Sequence, residues 1–202
     1  MVSKYYAVRE GRVPGIYNTW VECQEQINGF RNASFKSFDN KEEAEEFVKG
    51  VHSQSIIKQP TSDIDVQIYV DGSWNDRKQQ YGWSYVLVVD GESVDSGYGK
   101  GNKPEYLDQH QISGEVVAVL QGLRRAVYLG YKHAEIVYDY LGIEKWPLGD
   151  WKAKSDIAGA YLHLIKQYHH QIDLSFKKVK SHSGDRFNDE ADRLAKKGAN
   201  KS

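Results

Sequence analysis

Apolar residues recur along this chain with two different periods. Through Ile64-Asp65-Val66-Gln67-Ile68-Tyr69-Val70 apolar and polar side chains largely alternate, the period of a half-buried strand. Extended runs at 81–90 and 93–100 meet at Asp90-Gly91, a dipeptide suited to a hairpin turn. Val116, Val119, Leu123 and Val127 then recur at helical spacing and predict a helix over 113–129, stopped by Gly130. A strand at 134–138, short helical segments around 141–150 and 155–170, a strand at 172–179 and a helix at 186–199 complete the pattern. The order βββαβαα(β)α is mixed α/β with an antiparallel entry, unlike a doubly wound dinucleotide fold. No Gly-x-Gly-x-x-Gly follows a strand, so a nucleotide cofactor has no support.

A smaller unit precedes this one. Residues 5–9 read as a strand, Gly11, Pro14 and Gly15 as a turn, and 16–17 as a short extended piece. Thr19 is suited to cap a helix running to about Asn28, with Glu22 completing a capping box. Residues 34–38 form a second strand candidate, and Asp39 or Asn40 caps a helix striped by Ala44, Phe47 and Val48. Periodicity then fades into Ser, Gln, Thr and Pro60. The expected organisation is a small α+β domain at 1–49, a linker at 50–63 and a second domain at 64–202.

Composition narrows the partners. A formal net charge of −1 argues against an indiscriminate basic coat, so contact with a polyanion must use local patches or bound cations. The lone Cys23 forbids an internal disulfide and suits a reducing compartment. No run reaches membrane-spanning length and the first residues carry no apolar signal core, so a monomeric cytoplasmic protein without a membrane partner is expected.

Four separated carboxylates carry the candidate chemistry. Asp71 follows the first alternating run, where Gly72 is expected to turn the backbone and leave the acid at the strand end. Glu115 falls in the first turn of the predicted helix, Asp139 directly follows 134–138, and Asp192 lies within 186–199. Oxygen-only donors suit hard cations such as Mg²⁺ or Mn²⁺ rather than zinc. Taken singly, Asp-Gly is often only a turn, and an acid early in a helix often only favours its dipole. Positions 111, 115, 118, 119 and 122 share a helical side, and Ala118 and Gly122 would let that side approach a sheet and bring Glu115 to Asp71. The adjacent pair His169-His170 projects to different sides of a helix and frames no metal.

Tyr69-Val70-Asp71-Gly72-Ser73, the helix containing Glu115, the strand before Asp139 and the tail from His182 to Ala195 together resemble the type 1 ribonuclease H family. The tail is the most specific element, and its Asn188-x-x-Ala191-Asp192-x-Leu194-Ala195 pattern maps the fourth acid to Asp192 rather than Asp185 or Asp189. The resemblance implies a ribonuclease H-like mixed five-stranded sheet flanked by helices. It also implies a magnesium-dependent endonuclease acting on the RNA strand of RNA/DNA hybrids with two Mg²⁺ ions per site, or Mn²⁺ as substitute. Asp71 would bridge the metals, Glu115, Asp139 and Asp192 would complete their ligands, and His182 would move protons or assist product release. Products with 5′-phosphate and 3′-hydroxyl ends follow. Ser73, Asn75 and Gln111 are candidates for reading the 2′-hydroxyl, and Trp146 for gripping the DNA strand by stacking, although core packing serves a tryptophan equally well. Tyr140 stands where a serine often follows the acid.

Residues 4–48 resemble the hybrid-binding, or viroplasmin-like, module that often precedes such enzymes, through 5–12, Gly15-Ile16-Tyr17, Thr19-Trp20 and Phe35-Lys36-Ser37-Phe38. By that resemblance Trp20 and Phe35 would pack on deoxyribose and Lys36 would meet a phosphate. A hybrid-binding protein without catalysis and a DNA-directed transferase or resolvase are the competing readings.

Overall fold

The computed structural model describes residues 4–49, 64–180 and 184–202. It divides into two compact units, Met1–Ser55 and Ile56–Ser202. The predicted linker at 50–63 lies outside the described residues.

In the first unit, β1 (Tyr5–Glu10) is the centre of a three-stranded antiparallel sheet between β2 (Gly15–Tyr17) and β3 (Ser34–Phe38). α1 (Trp20–Ile27) starts at Thr19 with both halves of the expected capping box: the Thr19 hydroxyl accepts from Glu22 N, and Glu22 accepts from Thr19 N at 3.1 Å. Asn40 caps α2 (Lys41–Val48), accepting from Glu42 N at 2.7 Å. Ala7, Phe38, Ala44 and Phe47 form a small core, which is why the apolar stripe of α2 faces the sheet.

The second unit carries a five-stranded sheet in the order β6-β5-β4-β7-β8. β4 (Val66–Asn75), β5 (Gln80–Val89) and β6 (Glu92–Gly101) form an antiparallel meander, with Asp90 and Gly91 both at positive φ in the hairpin. β7 (His133–Tyr138) and β8 (Asp173–Lys178) add in parallel beside β4. One face packs on α3 (Gln111–Leu129) and α5 (Asp156–His169) through Ile68, Val70, Leu87, Val119, Leu123, Ile136 and Ile165. The other face packs on α6 (Arg186–Ala199) through Tyr69, Val86, Val137, Ala191 and Leu194. A short 3₁₀ turn at Pro104–Gln109, absent from the sequence expectation, leads into α3, and α4 (Gly142–Lys145) follows β7. Among the described residues no helix is long and apolar enough to cross a membrane.

Glycines permit this packing where no side chain fits. A Cβ on Gly82 would collide with the backbone of Ala195 and Ala199 in α6, and one on Gly198 with the carbonyl of Gly99. Hydrogen bonds then fix α6 to β5: Ser84 Oγ donates to Ala191 O at 2.6 Å, and Gln80 Nε2 donates to Ala199 O at 2.8 Å. Replacing Gly82 with alanine therefore forces helix and sheet apart, because the obstructing atoms are backbone. The expected cost is about 1–3 kcal/mol, read as a lowered denaturation midpoint; an unchanged midpoint would show that α6 can shift freely.

Candidate active site

Asp71 lies inside a strand, not at its end. β4 continues through Gly72↔Trp83 and Ser73↔Gly82 to Asn75, so Gly72 stays extended where a turn was expected. What ends at this point is the parallel ladder, whose last β4–β7 pair is Tyr69↔Val137. The two strands part beyond it, and Asp71 and Asp139 lie on the diverging segments. Gly72 serves a different purpose: a Cβ there would strike the backbone of Gln111, Gly114 and Glu115, so its absence lets α3 rest directly on β4.

That contact delivers Glu115. The helix begins at Gln111, earlier than the periodicity indicated, so Glu115 is in the second turn and the first turn holds no acid. Helix-dipole stabilisation of the anion is accordingly weaker than expected. Glu115 is only 3% exposed, and its Oε2 lacks a hydrogen-bond partner among the described residues. One carboxylate oxygen from each of Asp71, Glu115 and Asp139 lies within 4.8 Å of the others. Asp192 lies outside that trio but lines the same cavity of about 420 Å³, together with Gly72, Gln111, Ile112, Tyr140 and Asn188.

The two rejected acids of the tail are accounted for. Asp185 caps α6 by accepting from Phe187 N at 3.0 Å and Asn188 N at 3.2 Å, and Asp189 faces solvent. Asp192 accepts from Lys196 Nζ at 2.7 Å, one turn along the helix. Neither Lys196 nor Tyr140 was among the sequence candidates. The i,i+4 spacing from Asp192 could have indicated the lysine, and the place of Tyr140 directly after Asp139 could have indicated that it lines the cavity.

Other candidates separate by environment. Gln111 reaches the cavity, and Ser73 lies two residues beyond Asp71 on β4. Asn75 is engaged structurally, donating to Asn200 Oδ1 at 2.8 Å and accepting from Lys78 N at 3.0 Å. Trp146 is 8% exposed and packs edge-on against Tyr140 and Tyr161, with ring centroids 5.6 and 6.3 Å away. Its indole belongs to the core, which removes it as a stacking surface; the more exposed tryptophan of this segment is Trp151. His182 lies outside the described residues.

In the first unit Trp20 and Phe35 are 42% and 44% exposed, with ring centroids 5.7 Å apart. Lys36 follows Phe35 on β3 and projects to the opposite face, its ammonium 5.4 Å from the Phe38 ring centroid. It therefore does not extend the Trp20–Phe35 surface.

Crowding the acids has an electrostatic consequence. Burial, then the charges of Asp139 and Asp192, push Asp71 up from its ordinary 3.8 to about 7, against the lowering effect of hydrogen bonds from Glu115 and Gly72 N. Glu115 is also held well above the ordinary carboxyl range, first by burial and then by Asp71 and Asp139. Like charges this close in low dielectric cannot all ionise unless a cation joins them. Hard oxygen donors and the orphaned Glu115 oxygen thus fit a divalent metal.

The raised Asp71 value means that the folded chain holds a proton which the unfolded chain releases near pH 4. Folding stability should fall as pH rises from about 4 to about 7, with the penalty complete above that window. In chelator at pH 8, Asp71→Asn should be more stable than the parent by at least about 1 kcal/mol, a gap that closes toward pH 4. Thermal melting across pH checks this, and a less stable Asp71→Asn at pH 8 would contradict it.

Comparison with known proteins agrees with this arrangement. A family model described as RNase H matches residues 63–200, and one described as the Ribonuclease H1 N-terminal domain matches residues 4–48. A ribonuclease H of Saccharomyces cerevisiae is 50% identical over 46 residues, covering 23% of this chain but only 13% of that protein. Ribonuclease H1 of Homo sapiens is 26% identical over 264 aligned positions, covering 98% of this chain and 90% of that protein. The solved structure of LC11-RNase H1 in complex with an RNA/DNA hybrid, a protein isolated from compost by a metagenomic approach, shares the fold at 15% identity. It superposes with a TM-score of 0.54 over 65% of this chain and 97% of that one. With one domain model spanning more than half of its length, on a fold and carboxylate arrangement that agree with it, the chain belongs to the ribonuclease H family.

Proposed function

We propose that this protein is an endonuclease that hydrolyses the RNA strand of RNA/DNA hybrids. The observation that carries the reading is the convergence of Asp71, Glu115 and Asp139 oxygens within 4.8 Å, with Asp192 on the wall of the same open cavity. Such a cluster is electrostatically unfavourable in itself and becomes favourable around divalent cations. Two Mg²⁺ ions, with Mn²⁺ as substitute, would supply an activated water and neutralise charge on the attacked phosphate and the leaving oxygen. Asp71, Glu115 and Asp139 would hold them, joined by Asp192.

The reaction is in-line displacement at phosphorus. Water oxygen bonds to phosphorus and gives up a proton as the P–O3′ bond breaks; the leaving oxygen takes a proton to become a 3′-hydroxyl, and the other product keeps a 5′-phosphate. Gln111, on the cavity wall, and Ser73, two residues beyond Asp71 on β4, would meet ribose hydroxyls, the groups that distinguish RNA from DNA. His182 is our candidate for proton movement or product release. The exposed Trp20 and Phe35 rings offer sugar-packing surfaces to the DNA strand, so the first unit adds affinity rather than chemistry.

A labelled RNA/DNA hybrid tests the proposal. Cleavage should require Mg²⁺ or Mn²⁺, vanish with chelator, and fall at least about 100-fold in Asp71→Asn while hybrid binding persists. Binding without any cleavage by the parent protein would leave only a hybrid-binding role, and equal cleavage of DNA duplex would defeat the assigned substrate. The double variant Trp20→Ala/Phe35→Ala should raise KM severalfold with kcat retained; an unchanged KM would remove the first unit from binding.

A further inference from the structure

A second cavity, of about 300 Å³, adjoins the carboxylate site and shares Asp139 with it. Its other described walls are Lys178, Val179 and Lys180. We propose that Lys178 and Lys180 form an anion subsite that holds one phosphodiester of the RNA strand close to the scissile bond; this deepens the hydrolase reading and rests on it.

The charges at the end of β8 are unequal in their commitments. Lys177 lies 3.9 Å from Glu135, whereas Lys178 and Lys180 make no ion pair among the described residues. Both are exposed, so their ammonium groups are hydrated and available to a polyanion. The backbone between them is fixed: Tyr138 pairs with Lys178, and Val179 N donates to Tyr138 O at 2.8 Å. That anchor ties the two lysines to the residue immediately before Asp139. Their distance from the acids is therefore set by the β7–β8 ladder and not by a free surface loop.

Charge supplies the reason for such a subsite. Four carboxylates repel a polyanionic substrate until cations are bound, and the protein as a whole is slightly negative. Two ammonium groups beside Asp139, without an ion pair among the described residues, offset that repulsion where the strand must enter. They act on phosphate, which positions the substrate without reading its bases. A contact to one phosphodiester also releases counterions and adds to the salt dependence of binding.

The test uses the 202-residue chain with Asp71→Asn to prevent turnover, and RNA/DNA hybrids in which single RNA phosphodiesters are replaced by uncharged methylphosphonate. Lys178→Ala/Lys180→Ala should weaken hybrid binding roughly fivefold and reduce the salt slope by about 1. The arginine pair should restore both. Neutralising the one phosphate held by the lysines should weaken binding to the parent but cost the alanine pair nothing further. Full additivity at every position, or unchanged affinity and slope with native melting, would overturn the subsite. Cleavage by the chain with Asp71 intact, measured in parallel, separates the outcomes: absent cleavage strikes at the hydrolase reading, whereas the methylphosphonate cycle strikes at the subsite alone.

Discussion

Close backbone contact at four glycines is the constraint on which the second unit depends. Gly72 and Gly114 let α3 rest on β4 and β5, while Gly82 and Gly198 let α6 rest on the opposite face. Each helix contributes one acid of the site, Glu115 from the first and Asp192 from the second. A methyl group in either contact would move a carboxylate as well as weaken packing, since the obstructing atoms are mostly backbone and cannot rotate away. Stability and chemistry are therefore coupled through the same few positions.

The carboxylate cluster draws on that packing energy. Burial and mutual repulsion raise Asp71 and Glu115, so the folded chain accommodates a site that is unfavourable without cations. The surrounding structure can sustain it because β4 is paired on both sides up to Tyr69 and stays paired to β5 beyond. Cation binding and the stability cost would be two aspects of one arrangement: the acids that would bind the ions best are also those that repel one another most.

Much of this was legible from sequence because local chemistry left clear marks. Thr19 and Glu22 announced a helix start, Asp90-Gly91 a hairpin, and the 134–138 run a strand ending at Asp139. The choice of Asp192 over its acidic neighbours came from a family pattern, and the structure supplies its physical counterpart in the capping role of Asp185 and the exposure of Asp189. Where expectation failed, the deciding contacts were distant in sequence. Gly72 looked like a turn because its reason for being glycine is a helix some forty positions later. Trp146 stood evenly between stacking and core packing because nothing nearby revealed the Tyr161 ring against which it packs.

The mixed ladder of the sheet also has a temporal meaning. β4, β5 and β6 pair with their immediate neighbours and can zip locally, whereas β7, β8 and α6 must close long loops before they contribute. Asp71 is thus present in the earliest strand, and Glu115 follows on α3, but Asp139 and Asp192 arrive with the slowest contacts. A chain folded only through the meander and α3 lacks two of the four acids and should hold cations more weakly. Metal would then favour the completed molecule over its precursors by mass action, so the finished site would act as a checkpoint on its own assembly.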